Sequence, residues 1–166
     1  VRAGLLAAAL ALAPLMAQAQ DAPPEAAQLQ GQHPSKYYET ASQLFSQGRK
    51  EDAIFLFYLG QLHWRCLLAA NPGIDPTGDP ALFGSLSEVV GRPLNEWAYG
   101  DPDMVHRLLG EVLAYDAAHP DPYRMTQADS PECAQVRRGL EGLRDGIPAQ
   151  AEAIRRERTR NGLPNR

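Results

Sequence analysis

The sequence predicts an all-α fold, a small domain of five to six helices. Three observations carry this. Apolar residues recur at spacings of three and four in most of the chain. No run sustains the period-two alternation of a half-buried strand. The punctuation is helical, with Asp-Pro and Ser-Pro pairs where helices start and glycines or prolines where they stop.

The chain opens "VRAGLLAAALALAPLMAQAQ". Arg2, an apolar stretch from Gly4 to Met16 and the small-x-small triplet Ala17-Gln18-Ala19 have the form of a secretory signal, so residues 1–19 are expected to be a signal peptide. The stretch is too short for a comfortable membrane span, and no stable span is expected after cleavage. Gln20 to Pro34 is rich in Ala, Gln and Pro with almost no large apolar residue, which predicts a flexible leader. The helical domain is expected over 35–160, with 161–166 a disordered tail.

Ser35 is placed to cap "KYYETASQLFSQ", closed by Gly48. Tyr37, Tyr38, Ala41, Leu44 and Phe45 share its apolar face. After a tight turn, Glu51 and Asp52 suit the start of a second helix, which runs through "FLFYLGQLHWRCLLA" until "NPG" stops it. Asp79-Pro80 opens "ALFGSLSEVV", ended by Gly91, and "LNEWAY" adds one or two turns before Gly100. Asp101-Pro102 opens "DMVHRLLGEVLAYDAA", with Val105, Leu108, Leu109, Val112 and Leu113 on its apolar side, and Pro120 stops it. "DPYRMTQAD" reads as loop. Ser130-Pro131 opens a helix through Val136, Leu140 and Leu143. Gly146 breaks it, and Pro148 opens a last, highly charged one.

"YYETASQLFSQGRKEDAIFLFYLG" resembles a single tetratricopeptide-type repeat, or the related Sel1-like helical hairpin, over residues 37–60. Tyr37 stands at the first aromatic and Ala41 at the small residue of the first helix. Leu44 and Phe45 form the bulky pair, Gly48 the turn, Asp52-Ala53-Ile54 the start of the second helix, Phe57 its aromatic and Gly60 its next small residue. Thr40 departs from the usual large apolar residue, and Arg65 occupies the usual proline position, so the second helix runs on. The resemblance implies two closely packed antiparallel helices and a protein-binding surface.

Composition bounds the function. The formal charge is −4, and −5 without Arg2. Nucleic-acid binding needs a net basic surface and is not expected. The 14 Arg against 2 Lys reflect a GC-rich genome rather than such binding. Cys66 and Cys133 are an even pair in an oxidising compartment, open to a disulfide or to two buried thiols. The four histidines lack the His-x-x-x-His spacing of two metal ligands on one helix face. Asp116 and His119 read as a helix end with a favourably placed imidazole, and His33 as solvated in the leader. No nucleophile elbow or phosphate loop is present. No catalytic residue, cofactor or metal is therefore expected.

Arg65 lies in a long apolar helix, and a buried guanidinium needs a partner. Glu96, then Glu88, are the expected carboxylates, with Gln61 and Tyr99 completing the hydrogen bonds. The functional alternative is a recognition surface of Gln61, Trp64, Arg65, Glu96 and Trp97. The arginines of "IRRERTRNGLPNR" read as a solvated helix end. The resulting expectation is an exported bacterial protein, periplasmic or secreted, that binds a protein partner and is not an enzyme. An immunity-type inhibitor of a periplasm-acting toxin is one form of it. The alternatives are a small periplasmic hydrolase using Glu88 and Glu96, or a structural component of the cell envelope.

Overall fold

A computed structural model describes residues 22–124 and 130–166. The expected signal peptide and part of the 121–129 loop lie outside them. Seven α-helices appear in chain order: α1 (Pro24–Gln28), α2 (Ser35–Ser46), α3 (Lys50–Ala70), α4 (Asp79–Leu86), α5 (Arg92–Ala98), α6 (Pro102–Ala118) and α7 (Pro131–Arg160). α1 is a single short turn, so six helices are longer than this. No strand occurs among the described residues, and the fold is all-α.

α2 and α3 form the expected antiparallel hairpin and are the most extensively packed pair. Gly48 makes the turn at φ 86°, a left-handed conformation that L side chains avoid. Small residues set the helix separation. A Cβ on Gly60 would sit 2.4 Å from the Tyr37 Cβ, so only glycine allows α2 this close. Ala41 and Ala53 are fully buried in the same interface.

α3 is the central helix. Thirteen of its residues are buried, including Phe55, Phe57, Trp64 and Leu67. By length and composition it could cross a membrane, yet 72% of its most apolar window is covered by the other helices, the pattern of a core helix. α6 and α7 pack along it.

Several boundaries differ from expectation, each for a local reason. Residues 22–34 do not form a flexible leader. Ala26 and Leu29 are buried in the core, and Glu25 meets Arg49 at 2.5 Å. Ser35 is the first residue of α2 rather than its cap, because its hydroxyl is taken by His33 Nδ1 at 2.9 Å. His33 is not simply solvated either: its Nε2 lies 3.1 Å from Asp79, which leaves Gly78 as the cap position of α4. Asp101 and Ser130 do cap as expected, accepting from the backbone N–H of Met104 and Cys133.

Gly91 does not end a helix. α4 and α5 join through a π-helical turn, Ser87–Gly91. A Cβ at Gly91 would lie 2.8 Å from Phe57 Cζ, so the glycine admits the Phe57 ring while the wider turn continues the helix. Nor does α7 break at Gly146 and restart at Pro148. It runs unbroken for 30 residues. A proline inside a helix removes the N–H that would reach the carbonyl four residues back, here that of Arg144. His106 Nδ1 on α6 donates to that carbonyl instead, at 2.8 Å. The tail 161–166 is ordered by contacts with α5. Arg166 N–H donates to the Gly100 carbonyl, and its guanidinium stacks 3.8 Å over Trp97.

Candidate functional site

The polar residues of α3 divide between two faces. Gln61 and Arg65, one turn apart, face outward toward α7. His63 points inward, and Trp64 is fully buried.

On the outward side, α3 and α7 diverge to leave an open groove of about 670 Å³. Its α3 wall is Gln61, Leu62, Arg65, Leu68 and Ala69. Its α7 wall is Gln135, Val136, Gly139, Leu140 and Leu143. A disulfide joins the two helices between Cys66, within the 61–69 stretch of α3, and Cys133, two residues before the α7 wall begins, with a Cα–Cα distance of 4.5 Å. Leu143 stays 42% exposed, and a Cβ on Gly139 would touch nothing within 4 Å. The volume lies within the range of ligand clefts, and most of the lining is apolar.

Arg65 makes no buried ion pair. It is exposed, and its guanidinium lies 5.7 Å from the Phe83 ring. The expected partners are elsewhere. Glu88 pairs with Arg92 one turn along, and both are exposed. The Glu96 side chain is exposed too, while its backbone carbonyl accepts from Arg158 at 2.7 Å. Among the described residues, Arg158 is thus the buried guanidinium. Burial, then the nearby charge of Arg166, lowers its pKa, while Glu96 acts the other way. Behind the groove, Tyr38 is pushed up to about 12 by burial, partly offset by the hydroxyl of Ser87, the charge of Arg65 and the amide of Gln61.

The internal ion network forms at His63 instead. His63 Nε2 lies 3.0 Å from Asp116 and Nδ1 lies 2.9 Å from Asp121. Arg137 on α7 donates to Asp116 at 2.5 Å. Asp121 also accepts from Tyr37 Oη and from the backbone N–H groups of Gly31 and Tyr123. One imidazole and one guanidinium thus face two carboxylates, with His63, Asp116 and Asp121 each at most 3% exposed. Burial pushes the Asp121 carboxyl up, but His63 and the two backbone donors outweigh it and hold the group below its usual range.

A His between two carboxylates invites a catalytic reading, and the geometry argues against it. His63, Asp116 and Asp121 are all buried. The carboxylates face opposite ring nitrogens and do not converge on one point. No group of three or more His, Cys, Asp or Glu side chains among the described residues is placed to hold a metal ion. The network ties the α1–α2 connection, α2, α3, α6, the segment after α6 and α7 to one another, which is a structural task.

The residues expected to form one recognition surface are thus separated. Gln61 and Arg65 line the groove. Trp64 is core, edge-on to Tyr38 and Phe83. Glu96 and Trp97 lie on α5, where Trp97 meets Phe45 and the C-terminal residue. The α7 wall was not anticipated as a site, because Val136, Leu140 and Leu143 read as an ordinary core face. The signal was present in Gly139, which leaves that face without a side chain at one position between Val136 and Leu143. His119 stacks on Tyr115 at a helix end, as expected. The C-terminal arginines border a second hollow of about 450 Å³, formed by Arg155, Arg156, Thr159 and Arg160. Much of its charge is spent locally, Arg155 on Asp103 and Glu152 and Arg160 on Glu157. Compared with family models, curated proteins and solved structures, the chain gives no match.

Proposed function

We propose that this chain is an exported, non-catalytic binding module that receives a protein partner in the groove between α3 and α7. One observation carries the reading. An open groove with apolar walls, polar only at Gln61, Arg65 and Gln135, sits on an otherwise well-packed helical domain. Patches of this kind on a folded surface mark interaction sites. The Cys66–Cys133 disulfide beside the groove suits an oxidising compartment, in keeping with the secretory form of the first nineteen residues.

Photo-crosslinking tests the reading. A photoreactive side chain is placed at Leu143, in the groove, or at Val89, which is 71% exposed on the π-helical turn. In the cell envelope of the native host, the Leu143 probe should give a discrete adduct that Val136→Asp abolishes. The Val89 probe should not. Equal adducts from both positions, or none from Leu143, would end the proposal. In its more specific form the partner is a toxin acting in the periplasm, and expression of this chain should then protect cells from the protein recovered in the adduct.

A further inference from the structure

The shape and chemistry of the groove restrict what fits it. Each wall spans nine residues, 61–69 on α3 and 135–143 on α7. At about 1.5 Å per residue this gives a length of about 12 Å, slightly more than two helical turns. Side chains at i, i+4 and i+7 of a helix span about 10.5 Å. Both walls are helices whose interior backbone N–H and C=O groups are already paired. An extended segment laid there would find no ladder of partners for its own backbone, and unpaired buried backbone groups are costly. A helix carries its hydrogen bonds with it.

Two further features bear on the occupant. Gly139 presents bare backbone, with nothing within 4 Å of where a Cβ would stand, so a visiting helix can approach α7 closely. Arg65 is the one ionisable residue of the lining. It makes no ion pair with a carboxylate among the described residues, in a chain whose net charge is −4. Across the groove, the side-chain oxygen of Gln135 is held by the Arg138 guanidinium at 2.7 Å, which leaves its amide N–H₂ free to donate. Both polar edges therefore offer donors.

We infer that the segment received by the groove is an amphipathic helix, with apolar anchors at i, i+4 and i+7 and an acidic residue whose carboxylate meets Arg65. This rests on the docking reading above and specifies it. The helix fills the space between Leu62, Leu68, Val136, Leu140 and Leu143, and its carboxylate neutralises the charge at the rim.

The test uses the oxidised full chain and four probes. The first is an 18-residue Ala/Gln-based peptide with Leu at i, i+4 and i+7 and Glu at i+3. The second replaces Glu with Lys, the third places Pro at the centre, and the fourth is dodecanoate. Binding is followed by ¹⁵N–¹H correlation spectra. The Glu peptide should give saturable shifts confined to 61–69 and 135–143. It should bind about five- to ten-fold more tightly than the Lys peptide, as reversal of one exposed charge allows. Arg65→Gln should erase that difference, and the Pro peptide should not bind. Equal affinity of the Glu, Lys and Pro peptides, shifts outside the groove, no shifts at millimolar peptide, or saturation by dodecanoate in place of the peptide would each overturn the inference. Those results together with a groove-specific crosslink would leave the docking reading standing and remove only the helix. Absence of the crosslink removes the docking reading itself.

Discussion

Replacing His63 by Leu tests whether the buried network holds the fold together. The substitution keeps a side chain of similar bulk in the core, so it acts mainly by removing charge and hydrogen bonds. Asp121 then keeps Tyr37 and two backbone donors but loses the imidazole, its one ion-pair contact among the described residues, and Asp116 retains Arg137. Removing one member of a buried ion pair costs about 3–5 kcal/mol, because the remaining charge stays buried and uncompensated. Against a total stability of roughly 5–15 kcal/mol for a domain of this kind, that is a large share. With a urea m-value of about 2 kcal/mol/M, the midpoint followed by far-ultraviolet circular dichroism at pH 7 should fall by about 2 M. If uncompensated charge is the cause, adding Asp121→Asn should recover part of the loss, so the two substitutions should be strongly non-additive. A midpoint within about 0.3 M of the parent for His63→Leu, or strict additivity in the pair, would refute the reasoning.

Three other predictions follow from the same structure. Removal of the disulfide by Cys66→Ala with Cys133→Ala frees a link across 67 residues, worth about 4 kcal/mol in the chain-entropy model. The double variant should melt well below the oxidised parent, and its melting should no longer respond to reductant. Gly60→Ala should destabilise by about 1–3 kcal/mol through the clash with Tyr37, although helix propensity alone predicts a gain of about 1 kcal/mol. A higher melting temperature would show that the α2–α3 separation is softer than described. Asp121 bears on acid stability, since its folded pKa is held below the ordinary value. Its contribution is present above about pH 4 and is lost as pH falls through the folded value. Asp121→Asn should therefore flatten the acid limb of a stability-against-pH profile, and an unchanged limb would assign acid unfolding to other carboxylates.

Much of the helical layout was legible from spacing and punctuation, because 3.6-residue periodicity and capping are local properties. The α2–α3 hairpin, the caps at Asp101 and Ser130 and the apolar face of α6 are examples. What spacing could not supply was which face of α3 another helix covers. Gln61 and Arg65 were correctly placed together, but burial was assigned to Arg65 because the helix around it is apolar. In fact α7 leaves this face partly open. The buried network had a readable trace. Asp116 continues the apolar stripe of Val105, Leu108, Leu109, Val112 and Leu113, and a carboxylate on such a stripe calls for a buried cation. That its partners are His63, 53 residues away, and the guanidinium of Arg137 on α7 is a tertiary fact. The same holds for Pro148. Its local meaning is a helix break, and only the imidazole of His106 on another helix cancels it.

The construction of α7 has a consequence for how the groove behaves over time. Gly139, Gly142, Gly146 and Pro148 lie within it. Relative to Ala they weaken its intrinsic helicity by about 1 kcal/mol per glycine and about 3 kcal/mol for the proline. α7 is therefore helical on loan from its neighbours, through Cys133, Arg137 and the His106 contact. Local opening should begin between Gly139 and Pro148, where native-state hydrogen exchange should find amides released well before those of α3. Those residues include half of one groove wall. That groove wall can therefore open and re-form while the α2–α3 hairpin stays intact, so the cleft can change shape without the fold being lost.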